Sequence, residues 1–234
     1  MNEQQSTTLR NLPETPLEAI QDLIDEKVII EGRTFLISHP KDSDKLLDHP
    51  MVRAAFAADE YMPYWTDLWP AARMLAKAIM RENWQPGLQA LEIGCGLGLP
   101  GIAALAKGIR VTFSDYDATA LKFATLNAEA NGFDQIETMQ LDWRYPPKCV
   151  QFPLVLGADL IYEARNVNPV VHLIKKMLAP AGVALLADQD RIPTEPLHQA
   201  FAEYGLHFTT KIMHAGEPGG RRLKGTLYRI SHAT

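Results

Sequence analysis

Residues 90–101, "ALEIGCGLGLPG", set four glycines between a short apolar run and an alanine-rich one. That order reads as a strand, a turn and a helix. Gly94, Gly96 and Gly98 can take positive φ and let the backbone approach a ligand, while a helix starting near Pro100 directs its N-terminus at the same place. Gly96, Gly98 and Gly101 also satisfy the dinucleotide spacing G-x-G-x-x-G, which alone is a weak signal. An acid follows at the offset of about 20 residues expected for a ribose partner, where Asp115 closes "RVTFSD". The pair indicates a nucleoside cofactor without saying which.

The pattern continues outward from this turn. The β-rich runs "ALEIG", "RVTFSD", "IETMQLD", "FPLVLGAD" and "GVALLAD" alternate with the helical stretches "LPGIAALAKG", "ATALKFATLNAEANG", "NVNPVVHLIKKMLAP" and "PTEPLHQAFAEYG". This cadence predicts an α/β fold, a Rossmann-like seven-stranded and mostly parallel sheet with helices on both faces. "LHFTTKIMHAGEPGGRRLKGTLYRIS" breaks the rhythm and predicts an antiparallel strand pair at the C-terminal end. Upstream, residues 1 to about 13 read as disordered, and "TPLEAIQDLIDE" as an amphipathic helix with Thr15 as its cap and Pro16 in its first turn. "KVIIEGRTFLISHP" reads as a hairpin about Glu31-Gly32. The expected organisation is an extension over residues 1–60, with helix and hairpin, and a catalytic domain over residues 61–234.

Composition limits the classes of function. The chain of 234 residues carries a formal net charge of −5 with Lys and Arg scattered among acids, so no basic footprint for nucleic acid or an anionic membrane is present. A small basic cluster, Arg221, Arg222 and Lys224, lies in the terminal hairpin loop. Two cysteines make no disulfide framework, the polar start lacks a secretory apolar core, and no run is long enough to cross a bilayer. A cytoplasmic protein is the expectation. The seven histidines are dispersed without metal-ligand spacing, so no metal site is expected.

Two details bear on the choice of cofactor. Glu92 precedes the turn, giving E-x-G-x-G-x-G, and the third strand ends in Asp142-Trp143, where an acid can accept an amino proton and an aromatic ring can pack on a purine. Within residues 90–107 only Lys107 is basic, at the far end of its helix. A neutral turn still leaves NAD open, because backbone N–H groups can serve phosphates.

The segments "ALEIGCGLGLPGIAAL", "VTFSDYDATALKFATLNAEANG", "LDW" and "LGADLIY", in this order and spacing, resemble the class I, seven-strand S-adenosylmethionine-dependent methyltransferases. "DLWPAARMLAKAI" and the Asp159-Leu-Ile-Tyr162 sequence resemble, more narrowly, the methyltransferase-like protein lysine methyltransferases, including the electron-transfer-flavoprotein lysine methyltransferase group. The resemblance spans about residues 65–231. It implies S-adenosyl-L-methionine as cofactor, with Gly94, Cys95 and Gly96 at its methionine and ribose portion, Asp115 on the ribose hydroxyls and Trp143 by the adenine. Trp69 and Ala158 would close the pocket, and Glu92, Gly98, Tyr116 and Asp142 complete the candidate cofactor-binding set. The N-terminal hairpin and "HPKDSDKLLDHP" have no counterpart in the family's pattern, and "DQDR" is only loosely similar.

Methyl transfer is an in-line displacement, so the protein must orient a lone pair about 3 Å from the methyl carbon and keep water away. A lysine amine further needs a carboxylate and a hydroxyl to hold the nitrogen and favour its neutral form. Asp159 and Tyr162, leaving the strand "FPLVLGA" together, are the candidate catalytic pair; their alternative is a turn cap and a ring packed under a loop. In "YMPYWTDLWP", Pro63 argues for a helix starting near Thr66, with Trp65 before it and Trp69 in its opening turn, while Tyr61 and Tyr64 seal the sheet's edge. The expected function is N-methylation of a protein lysine. A small-molecule methyltransferase acting on a nicotinamide-like amine, a nicotinamide-dinucleotide-dependent oxidoreductase and a non-catalytic cofactor binder are the alternatives.

Overall fold

A computed structural model describes residues 12–20, 22–216 and 222–233. Its centre is a seven-stranded sheet built from β3 (Gln89–Ile93), β4 (Arg110–Asp115), β5 (Glu137–Gln140), β6 (Phe152–Ala158), β7 (Leu178–Asp188), β8 (Leu206–Ala215) and β9 (Leu223–His232). The spatial order is β5-β4-β3-β6-β7-β9-β8; β3 to β7 pair in parallel, and β9 runs antiparallel to both β7 and β8. This is the sheet the sequence rhythm predicts, including the antiparallel end.

Side-chain alternation along the buried strands decides which helices cover which face. Ala90 of β3, Val111 and Phe113 of β4, and Leu154 and Leu156 of β6 pack with α3 (Pro70–Arg81), α4 (Leu99–Ala106) and α5 (Ala118–Ala130). Leu91, Ile93 and Val155, from the intervening positions, pack with α6 (Val167–Met177) and α7 (Glu195–Glu203) on the other side. The chain leaves β3 toward β4 and β5, then returns to β6 on the opposite side of β3. That reversal opens a crevice at the carboxyl ends of the strands, where α/β sheets place their ligands.

The extension differs from its predicted form. Among the described residues of "TPLEAIQDLIDE" there is no long helix: a 3-10 turn over Leu17–Ala19 precedes β1 (Leu23–Ile30), which pairs with β2 (Arg33–Pro40) from Leu23↔Pro40 to Ile30↔Arg33. The predicted turn is present, with φ of 49° at Glu31 and 80° at Gly32, a two-residue geometry that matches strand twist. Its register extends the ladder back to Leu23, and burial of Val28, Ile30, Phe35 and Ile37 overrides the local helical preference. Asn127 and Asn131 of α5 bond the backbone of Ser38 and Leu36, fixing the hairpin to the sheet's helical layer. "HPKDSDKLLDHP" and the residues after it form α1 (Ser43–Leu47) and α2 (Pro50–Asp59).

Thr15 is not a helix cap. Its backbone N–H and hydroxyl both donate to the carboxylate of Asp117, the buried N-cap of α5, which also accepts from Tyr61 and from Trp65 Nε1 at 3.0 Å. Pro13, at the edge of the expected disordered segment, accepts from Ala118 N at 3.1 Å and Gln140 Nε2 at 3.0 Å; residues 1–11 lie outside the described residues. α3 begins at Pro70 with Trp69 as its N-cap residue, and Tyr64–Thr66 form a separate 3-10 turn. Proline at the first helical position sets this boundary later than the sequence reading placed it. Of the terminal basic cluster, Arg222 and Lys224 are exposed and Arg221 lies outside the described residues. No helix among the described residues is long and apolar enough to cross a membrane, and they contain no cluster of three His, Cys, Asp or Glu suited to a metal.

Candidate active site

A cavity of about 320 Å³ lies at the crevice, within the range of small-molecule sites. The segments following β3, β4, β5 and β6, together with residues 59–69, line it, and every candidate site residue named from the sequence is in its wall.

The glycine turn is held from below. Gly94, Gly96 and Gly98 have φ of 57°, 51° and 82°, and Gly98 is the N-cap residue of α4. The carboxylate of Glu92 accepts the Gly101 N–H at 3.0 Å, so this side chain ties the strand to the first turn of the helix. Burial drives its pKa well above the carboxylate range. Cys95 is buried and its thiol pKa is raised, also by burial; its N–H donates to Ser114 O at 2.9 Å, joining the turn to β4.

At Gly101, two opposing effects decide the outcome of a substitution. Alanine in a helix is favoured over glycine by about 1 kcal/mol. A Cβ there would overlap the ring of Phe113 and the Glu92 carboxylate, both fully buried and unable to retreat. Overpacking of this kind costs about 1–3 kcal/mol and wins. Gly101→Ala is expected to lower Tm by about 5 °C, measured by thermal unfolding; an unchanged or raised Tm would show that the turn is not packed as described.

Asp115 ends β4 with its carboxylate toward the turn, accepting from Gly96 N at 2.9 Å and Asp117 N at 3.1 Å. It is 9% exposed, and desolvation raises its pKa to about 6 despite these donors. Asp142 and Trp143 follow β5. Both Asp142 oxygens accept from Arg144, with Nε contacts at 2.8 and 3.0 Å, so this acid in the cavity wall also orients a guanidinium. The half-buried Trp143 ring stands beside Gly94. Arg144 continues to Asp59 at 2.7 and 2.8 Å, holding the Asp59 pKa down to about 2, and its guanidinium lies 5.3 Å from the Tyr116 ring centre. Tyr116 donates to Asp59 at 2.6 Å. Arg165 pairs with Glu60 and, at 2.5 Å, with Glu163. The end of α2 is thereby latched across the rim by two arginines.

Residues from three segments meet around Asp159 and Tyr162. Asp159 follows β6 in a left-handed conformation, φ 59°, which aspartate tolerates better than most residues. Its N–H donates to Ala187 O at 2.8 Å. The carboxylate accepts from Gln189 Nε2 and pairs with Arg191 at 2.6 Å; burial raises its pKa, and Arg191 opposes the rise. Tyr162 lies edge-on to Tyr64 with centroids 5.0 Å apart, and Tyr64 lies edge-on to Trp69 at 6.2 Å. Burial raises the Tyr162 pKa to about 12. Ala158 completes this wall.

Tyr61 and Tyr64 therefore line the cavity rather than seal the sheet, whose edges are β5 and β8. The sequence reading missed Arg144, Asp59, Gln189 and Arg191. The last two sit in "DQDR", whose position just after an apolar strand was the available signal.

Strand order, a glycine turn after β3 and an acid closing β4 together define the Rossmann-like fold of class I methyltransferases. A ribosomal protein L11 methylase from Lactobacillus delbrueckii subsp. bulgaricus shares it, with a TM-score of 0.56 at 21% identity over 70% of this chain and 79% of that one. Residues 62–204 match the family described as lysine methyltransferase, and the chain belongs to that family. Among curated relatives, a histidine protein methyltransferase 1 homolog from Dictyostelium discoideum is 33% identical over 64% of this chain and 49% of its own length. Protein N-lysine methyltransferase METTL21A from Mus musculus is 32% identical over 51% of this chain and 58% of its own. The chain spans about half the length of the curated relatives it matches.

Proposed function

We propose that the protein transfers a methyl group from S-adenosyl-L-methionine to a lysine side chain of a protein substrate. The observation that carries this reading is one cavity lined both by a neutral glycine turn and Asp115 and by Asp159, Tyr64, Trp69 and Tyr162.

The wall suits a cationic nucleoside better than a pyrophosphate. Its basic residues, Arg144 and Arg165, are both engaged with carboxylates at the rim, whereas Asp115 and Asp159 add acidic groups to the wall. S-adenosylmethionine supplies, when bound, a methyl group on a positively charged sulfur. Asp115 accepts ribose hydroxyls, the turn at residues 94–98 admits the methionine portion against bare backbone, and Trp143 packs by the adenine. Asp159 holds the acceptor nitrogen and draws off its proton, since burial makes this carboxylate more basic than usual. Tyr162 offers a hydroxyl that remains protonated at neutral pH, and the surrounding rings exclude water.

Both curated relatives reported above are named for methylating nitrogen-bearing side chains of proteins, which supports a protein acceptor over a metabolite. Membership of a methyltransferase family sets aside the oxidoreductase expected as an alternative. The latched end of α2 favours one second reading, a small amine enclosed beneath α2, which would act as a lid over the cavity. Incubating the full chain with methyl-labelled cofactor and cell extract, followed by mass spectrometry, tests the proposal. Label on lysine in a protein band is expected; label confined to small molecules selects the second reading, and no transfer at all overturns both.

A further inference from the structure

Outside the cavity's lining, but paired with Asp159 of the proposed acceptor end, the protein holds a cation of its own. Arg191 sits in the segment after β7, where Gln189 bonds one oxygen of Asp159 and Arg191 pairs with the other at 2.6 Å. The same guanidinium lies over Trp69, 4.8 Å from the ring centre. Tyr64 packs edge-on to Trp69 and to Tyr162, so the guanidinium sits between one carboxylate and the Trp69 ring, which leads a row of three packed rings. A carboxylate beside aromatic faces is the chemistry that recognises an ammonium or a guanidinium.

We propose that Arg191 determines acceptor specificity as a resident cation that an incoming side chain must replace with positive charge of its own. This inference rests on the reading of Asp159 as the group that holds the acceptor nitrogen. Three features support an exchange. The Asp159 side chain is 3% exposed, so the pair cannot open without a successor: a buried carboxylate stripped of its cation is strongly unfavourable. A neutral acceptor supplies no successor and is rejected, whereas a lysine ammonium does supply one. The Arg191 side chain is 36% exposed, so it can turn to solvent at little desolvation cost. Its neighbour Asp190 is left-handed, φ 55°, and is anchored separately, through Asp188 Oδ1 at 2.7 Å and Thr226 Oγ1 at 2.7 Å. The side chain can therefore leave while the loop that carries it stays.

The test reads cation binding directly, on the full chain and without methyl transfer. n-Propylammonium, with 1-propanol as its neutral counterpart, is titrated at a pH of about 8 while the indole N–H resonance of Trp69 is followed by NMR. Arg191→Gln is expected to bind propylammonium about tenfold or more tightly than the wild type, with Arg191→Lys within about threefold of wild type and no response to propanol in any variant. Introducing Asp159→Asn into Arg191→Gln should abolish the gain. Arg191→Met, which keeps the apolar stem, carries the same expectation should the glutamine variant fold poorly. Equal or weaker propylammonium binding once Arg191 is removed overturns the proposal, as does a propanol response of similar size. Failure of the methyltransferase reading would register separately, as absent label transfer in cell extract.

Discussion

Asp159→Asn is expected to reduce label transfer into cell extract by about 100-fold to 10,000-fold, the range general-base groups contribute. Affinity for S-adenosylhomocysteine should stay within about threefold of wild type. Asparagine keeps the side chain's shape, so the substitution removes charge and basicity with little repacking. None of the hydrogen bonds or ion pairs of the Asp159 side chain reaches Asp115 or Gly96. Tyr162→Phe should show the same pattern at about tenfold, because the ring's contact with Tyr64 survives and only the hydroxyl goes. The decisive comparison sets turnover against cofactor affinity. Parallel loss of both in Asp159→Asn would mean that the carboxylate shapes the whole cavity and does not serve the acceptor.

The uneven legibility of this molecule in its sequence has physical causes. The sheet from Gln89 onward was readable because buried parallel strands are nearly continuous apolar runs punctuated by glycine or acid. Residues 94–98 and Asp115 were readable for the same reason: a ligand site at strand ends leaves its residues at fixed offsets from the punctuation. "LIDE", the first half of β1, was not, since its pairing with residues 37–40 of β2 is a tertiary fact that the local helical pattern does not carry. Arg144 and Arg191 were invisible for a different reason. An arginine reveals its role through the partner it meets, and Asp59 and Asp159 are 85 and 32 positions away along the chain. Asp142 shows the same limit: the sequence exposed an acid after β5, and its pairing with Arg144 two residues on appears only in the fold.

Asp115→Ala is expected to weaken S-adenosylhomocysteine binding by about 100-fold or more. Charge-assisted hydrogen bonds are worth about 1.5–3 kcal/mol each, and a ribose presents two hydroxyls to one carboxylate. Turnover at saturating cofactor should fall far less, the reverse of the Asp159 pattern. A pH dependence accompanies it. The Asp115 pKa is raised to about 6 from an ordinary 3.8, chiefly by burial, so the unfolded chain releases this proton before the folded one. In the protein without cofactor, stability from this group therefore falls as pH rises from about 4 through 6. Cofactor affinity must move the other way, because hydroxyl donors favour the ionised carboxylate: binding tightens with pH up to about 6 and is level above it, with a limiting slope of about tenfold per pH unit for one proton. Asp188 also titrates near 6 through burial, but it does not line the cavity. Calorimetric titrations between about pH 5 and 8 separate the two acids, since Asp115→Asn should flatten the profile and Asp188→Asn should leave it intact. A profile that persists in Asp115→Asn would remove this carboxylate from the ribose and require another acid in the wall to take its place.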